Sequence, residues 1–379
     1  MWTKMNGNLR VAAVFAIMLT LALILSACGA DDPTPTPTSA PAPPADVVVA
    51  SPALVAAAQA EGELNFLGSS IDNPAAWAAW ESGMNAMFGI NVKLNFTSGP
   101  SFSKMARRLI EESAAGQKPS TDLFIGSEGS IVDMWETDNL LEVNWAELSD
   151  IVPNFAIQLD GHTVIVDSKV EPAIIYNTDV VPPSEAPTTF EDLADPKWEG
   201  MIAGTTYAAY WDTAASILPD GDAYMTELMG RITEKNLVSL DGCGGVARVA
   251  TGEFPIFAID CGGAPFRDMK AKGAPVGRNF LGANLVTLHE YLGVPKGSEH
   301  PNMAKLFIIY LQTPEAQGVM WKEQYKDSAW VKGSETAKLI TTLRGEGKTV
   351  VHHSADRENE ESERLQNLRG TFRKLMAGG

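Results

Sequence analysis

The chain has 379 residues, a formal charge of −18, and 45% hydrophobic against 20% charged residues. That acidic balance excludes the usual nucleic-acid binder, whose affinity rests on Lys and Arg neutralising phosphates, and it would repel the body from an anionic membrane surface. The length exceeds what one hydrophobic core ordinarily serves, so two lobes are expected.

Lys4 and Arg10 precede an apolar stretch over residues 11–25, which ends in Ser26 and Ala27. A basic start, a short hydrophobic middle and small residues at the end describe a secretory signal, here residues 1–27. The stretch is short for a helix crossing a hydrocarbon core of ~30 Å. "LSAC" resembles the lipobox of bacterial lipoproteins, which implies lipidation of Cys28 after cleavage. Residues 29–50 then alternate Pro with Thr and Ala, and proline can enter neither a helix interior nor a central strand. Polyproline II at roughly 3.1 Å per residue makes this segment a tether with a reach on the order of 60 Å. The layout places the body on the extracytoplasmic side, held to the membrane through the lipid.

The elements that follow alternate between strand and helix. "ELNFLGSS" reads as a strand, and "PAAWAAWESGMNAMFG" as a helix with Trp77, Trp80, Met84 and Met87 on its buried face. "INVKLNFTSG" is a strand, "FSKMARRLIEESAAG" an amphipathic helix burying Met105, Leu109 and Ile110, and "TDLFIGS" a short strand buried on both faces. Residues 180–200 are broken by Pro and Asp and separate this set from a second. The second contains "MIAGTT" (strand), a helix over 222–235, a short helix over 245–252, and the strand "FPIFAID". Such alternation predicts a mostly parallel sheet wrapped by helices. The last stretch, 344–379, is charge-rich and predicts a peripheral helix.

With Cys28 assigned to lipid, Cys243 and Cys261 form an even pair in a disulfide-permissive compartment. A disulfide between them is expected to contribute about 3 kcal/mol in the chain-entropy picture.

Four stretches, "LVAAAQAEGELNFLGSS", "IIYNTDVV…APTTFEDLADPKWEG", "VARVATGEFPI" and "GVPKGSEHPNMAKLFIIYLQTPEAQ", together resemble the extracellular solute-binding proteins of ABC importers, in the branch that contains ferric-ion-binding proteins. The resemblance implies a two-lobed α/β fold of the type II periplasmic-binding-protein kind, with the ligand in the cleft. It implies lobe 1 from 51–176 with 293–343, lobe 2 from 177–292, and crossings near 174–177 and 282–292. It also implies a monomer that delivers a small solute to an ABC transporter permease, with no cofactor and no resident metal.

In open α/β sheets ligands sit beyond the carboxyl ends of strands, against helix N-termini. Those strand ends nominate Ser69, Ser70, Ser127, Glu128, Thr205, Thr206 and Asp260, although hydroxyl residues are equally ordinary helix caps. Ferric-binding relatives use adjacent tyrosines where this chain reads Asp260-Cys261-Gly262-Gly263. Tyr207 and Tyr210 could reach the cleft from another loop or serve as packing residues. Glu128, Asp212 and Asp260 beside Tyr210 and Trp211 would suit a small organic amine or cation, through carboxylate pairing and cation–π contact. Ferric iron or a small oxyanion is the alternative. The rival class is an extracytoplasmic serine hydrolase, on the S-x-x-K match Ser101–Lys104. It has neither of the companion motifs such enzymes carry, and Ser101 reads better as a helix cap. His352-His353 is expected at the surface.

Overall fold

The computed structural model describes residues 47–218 and 220–378; the signal, Cys28 and most of the tether lie outside them. Ser51 opens α1 (Pro52–Glu61) with its hydroxyl on the Leu54 N–H, and Pro52 fits the first turn, where no N–H is needed. The chain continues through β1 (Glu63–Gly68), α2 (Pro74–Phe88), β2 (Lys93–Ser98), α3 (Phe102–Ala114), β3 (Phe124–Ser127), α4 (Glu128–Glu136), α5 (Trp145–Leu148) and β4 (Ile157–Gln158). It leaves the first lobe along β5 (Thr163–Glu171).

The second lobe comprises β6 (Ala173–Asn177), β7 (Ile202–Thr205), α6 (Ala209–Ala215), α7 (Gly221–Lys235), β8 (Leu237–Asp241), α8 (Val246–Ala250), β9 (Ile256–Ala258), α9 (Ala264–Ala271) and β10 (Val276–Phe280). Strand β11 (Asn284–Gly293) returns to the first lobe, followed by α10 (Pro301–Leu311) and α11 (Pro314–Gln324). The chain ends with α12 (Glu335–Gly345), β12 (Thr349–His352), α13 (Ala355–Glu360) and α14 (Ser362–Met376).

Both main sheets are mixed rather than mostly parallel. The first runs β12-β11-β5-β4, with β3 pairing the far half of β11, and the second runs β10-β6-β9-β7-β8. The physical reason lies in the connections. A chain that goes out on β5 and β6 and comes back on β10 and β11 lays the outgoing and returning strands antiparallel. Parallel pairing survives where helices connect strands on one side, in β1–β2, in β7 with β8 and β9, and in β11–β12.

Strand β6 pairs with β9 and β10, so the outward crossing falls at Pro172, earlier than 174–177. The whole of β11 pairs with first-lobe strands, so the return falls at 281–283. Each lobe has its own core. The first is built around Trp80, Phe66, Phe124, Phe307 and Tyr310, the second around Trp211, Met225, Met229, Ile256 and Phe372. On α2, Trp77, Trp80 and Met84 are buried as expected; Met87 is not, being 36% exposed.

The tail is not peripheral. Helix α13 packs on α4 of the first lobe, and α14 packs on α6 and α7 of the second. Leu368 and Phe372 complete the second core. Residues 353–361 therefore make a third passage of chain between the lobes. His353 is buried against Glu358, and His352 bonds to Thr287, so neither has the surface position expected of it.

Candidate functional site

A cavity of about 1220 Å³ lies between the lobes. Its floor comes from the first lobe. Ser69 and Ser70 follow β1, and Ser70 is held at φ 80°, a conformation rare outside glycine and common where function over-determines the backbone. The Ser70 hydroxyl donates to Glu290 and accepts from Lys326. Glu290 also accepts from Lys169 at 2.5 Å and lies 3.4 Å from Lys326.

Burial pushes the Glu290 carboxyl up, yet the two ammonium groups hold it well below the ordinary range. Asp167, fully buried and 3.9 Å from Lys326, is raised to about 7 by desolvation and by the Glu290 charge. Lys169 and Lys326 thus share the one carboxylate Glu290, while burial and the Glu290 charge oppose ionisation of Asp167, so this cluster carries surplus ammonium charge; Asp72 and Glu323 line the cavity as well.

Helices add to that sign. The N-termini of α3 and α4 open on the cavity through Ser101, Ser103, Ser127 and Ser130. Neither Ser101 nor Ser127 makes the side-chain cap bond its position allows; the Ser127 hydroxyl meets that of Ser130 at 3.4 Å, and the Ser101 hydroxyl has no partner among the described residues. Lys104 is exposed and outside the cavity lining, so the Ser101–Lys104 match places no lysine at the serine. Glu128 accepts from the His289 N–H, and desolvation raises its carboxyl to about 8. At neutral pH it is mostly a neutral O–H donor rather than a counter-ion.

The opposite wall belongs to the second lobe. It presents Thr206, Tyr207, Tyr210, Thr213 and the start of α9. Cys243 and Cys261, joined by a disulfide across 18 residues, line it as well. Tyr207 and Tyr210 meet edge-on at 6.3 Å, the first exposed and the second half-buried. The two lobes touch where Gly262 passes Lys169: a Cβ at Gly262 would lie 2.6 Å from Lys169 Cγ. Only glycine, at φ 88° and without a side chain, fits there.

Of the residues nominated from sequence, Ser69, Ser70, Ser127, Glu128, Thr206, Tyr207 and Tyr210 line this cavity, and Thr205, Trp211, Asp212 and Asp260 do not. Thr205 is buried, with its hydroxyl accepting from the Tyr207 N–H. Trp211 is a core residue of the second lobe.

Asp212 pairs with Arg369 of α14. Asp260 pairs with Arg278 at 2.5 Å and accepts from the N–H groups of Gly262 and Gly263. Burial pushes Asp260 up, but Arg278 holds it low, while neighbouring Glu171 is driven well above its ordinary value by burial and by the Asp260 charge. Glu171 in turn accepts from Gly262 and Ala173, so this cluster fixes the outward crossing rather than a ligand.

Sequence reasoning missed Lys169, Glu290, Lys326 and the α14 residues. Two of them carry a signal. Lys169 in "VIVDSKVEP" and Glu290 in "LVTLHEYLGV" are charges inside apolar strand runs, and charged groups are seldom buried unless paired. Among the described residues, no three His, Cys, Asp or Glu side chains gather as a metal site, and no helix is long and apolar enough to cross a membrane.

Two mixed-sheet lobes joined by crossing strands, with a cavity between them, have the fold of the type II periplasmic binding proteins. Residues 84–332 match the family model described as bacterial extracellular solute-binding protein, and the chain belongs to that family. It is a family of non-enzymatic transport proteins that act outside the cytoplasm.

Among solved structures, iron-bound HitA from Pseudomonas aeruginosa is similar at 17% identity and a TM-score of 0.64, covering 82% of this chain and 99% of that one. AfuA from Actinobacillus pleuropneumoniae, with fructose-6-phosphate bound, gives 18% and 0.63 over 83% and 99%. AgtB from A. tumefaciens R10, in complex with agropinic acid, gives 14% and 0.61 over 83% and 99%. No curated protein matches the sequence.

Proposed function

We propose that this chain captures a small organic solute through an anionic group, closes its lobes around it by bending at its three passages (Pro172, residues 281–283 and residues 353–361), and presents it to an ABC permease. One observation carries the reading: Lys169 and Lys326 share Glu290 on the floor of the cavity where α3 and α4 begin. Helix N-termini favour anions, and surplus ammonium charge adds to that preference. The protonated Glu128 can donate a further hydrogen bond. Asp212 and Asp260, nominated for an amine or cation, already serve Arg369 and Arg278, so such a ligand would fall to Asp72, Asp133 and Asp268 of the lining instead. The cavity is far larger than a bare ferric ion needs, and AfuA of the same fold holds a sugar phosphate. Lipidation at Cys28 and the tether would hold this monomeric receptor near its permease.

Mass spectrometry of solutes that co-purify with the protein, followed by calorimetry with carboxylates, phosphates, polyamines and quaternary amines, tests the reading. Carboxylates or phosphates are expected to bind, and Lys326→Gln to weaken them at least tenfold. Heat from the amines alone would overturn it.

A further inference from the structure

The cavity exceeds the needs of one small anion: its volume of about 1220 Å³ lies above the ~300–1,000 Å³ common for small-molecule sites. Its cationic groups also stand on two different walls. Lys169 and Lys326 occupy the floor, on β5 and just after α11, while Arg369 and Arg373 project from α14.

Along α14, Ser362, Gln366, Arg369 and Arg373 line the cavity. Their spacing of four, three and four residues sets them in one stripe down a helix face. Leu365, Leu368 and Phe372 form the neighbouring stripe, which is buried. Arg369 is spent on Glu358 and Asp212. Arg373 is exposed, and among the described residues its guanidinium has no hydrogen-bond or ion-pair partner. The family match ends at residue 332, before this wall begins. Asp72, Asp133 and Asp268 also line the cavity, and they disfavour a solute charged along its whole length.

We propose that α14 is a second ligand-contacting wall, that Arg373 is a specificity-determining residue, and that the solute is an elongated molecule with an acidic group at each end. One group rests on Lys169 and Lys326 and the other on Arg373, with Gln366 and Ser362 hydrogen-bonding the neutral middle. This rests on the reading of the cavity as an anion site.

The test is calorimetry on the full chain with two matched probe sets: unbranched monocarboxylates against α,ω-dicarboxylates of four to eight carbons, and fructose-6-phosphate against fructose-1,6-bisphosphate. In at least one set the probe with two acidic groups is expected to bind tenfold or more tightly than its partner with one. Arg373→Gln, at an exposed position, is expected to erase that margin while leaving the one-group partner within twofold. Equal affinity for the two partners in both sets, or a margin that survives Arg373→Gln, overturns the second wall. The anion site itself then stands if the one-group probes still weaken tenfold in Lys326→Gln. Absence of binding by every probe overturns both.

Discussion

Replacing Arg369 with methionine keeps most of the side-chain bulk and removes the charge that two buried carboxylates share. The Arg369 guanidinium meets Glu358 through both terminal nitrogens, at 2.6 and 3.0 Å, and faces Asp212 through Nε. The side chains of Glu358 and Asp212 are 3% and 0% exposed.

The cost divides unevenly. Asp212 sits at about 7 because desolvation outweighs Arg369, so in the variant it takes up a proton at neutral pH for little further penalty. Glu358 is different. Burial pushes it up, yet hydrogen bonds from His353 and Arg369 hold it down to about 2. The whole depression from an ordinary 4.5, which His353 and Arg369 share, is worth roughly 3 kcal/mol at about 1.4 kcal/mol per pK unit. That falls at the low end of the ~3–5 kcal/mol for breaking a buried pair.

The sign with pH follows. A depressed carboxyl stabilises the fold above its unfolded pKa and loses that stabilisation as pH falls through the folded value. Urea unfolding at pH 7 should therefore show the Arg369→Met variant less stable than the parent by up to about 3 kcal/mol, with the gap narrowing as pH drops from about 4.5 toward 2. Adding Glu358→Gln to Arg369→Met should restore part of the loss. A gap under 1 kcal/mol at pH 7, or one that does not change with pH, would refute the reasoning.

Glu128 gives the opposite slope. Its folded pKa is raised to about 8, so parent stability should fall as pH rises from about 4.5 to 8, by at most ~5 kcal/mol. Glu128→Gln should flatten that fall, whereas a parent curve already level across the window would contradict it. Trp211→Ala should cost ~3–5 kcal/mol of stability with solute affinity of the folded fraction unchanged; a selective loss of affinity would return Trp211 to the site. Native, unreduced protein should show no free thiol at Cys243 or Cys261, and the double Cys→Ser variant should lose about 3 kcal/mol. Small-angle scattering should register compaction at saturating solute, and an unchanged radius of gyration would count against hinge closure.

The order of strands and helices was legible because local patterns set it: apolar runs of strand length, helical spacing in α2 and α3, and Gly or Pro at the breaks. The hydroxyls at strand ends were legible for the same reason, since Ser69, Ser70, Ser127 and Thr206 follow strands that any parallel arrangement would aim at the cleft. Long-range pairing was not. Nothing near Asp212 or Asp260 in the chain announces that Arg369 and Arg278 will neutralise them, so both read as free carboxylates. The tail misled through its composition. α14 is rich in charge, but Arg369 is spent inward on Asp212 and Glu358, while Leu368 and Phe372 seal the second lobe.

That seal bears on how the molecule folds. Phe372, wholly buried among residues of the second lobe, is parted from all of that core except Leu368 by the whole return of the chain through β11, α10, α11, α12 and β12. Contacts between segments so distant along the chain are slow to form, because loop closure precedes any reward. The second lobe therefore closes its interior only with a segment that arrives by way of the first.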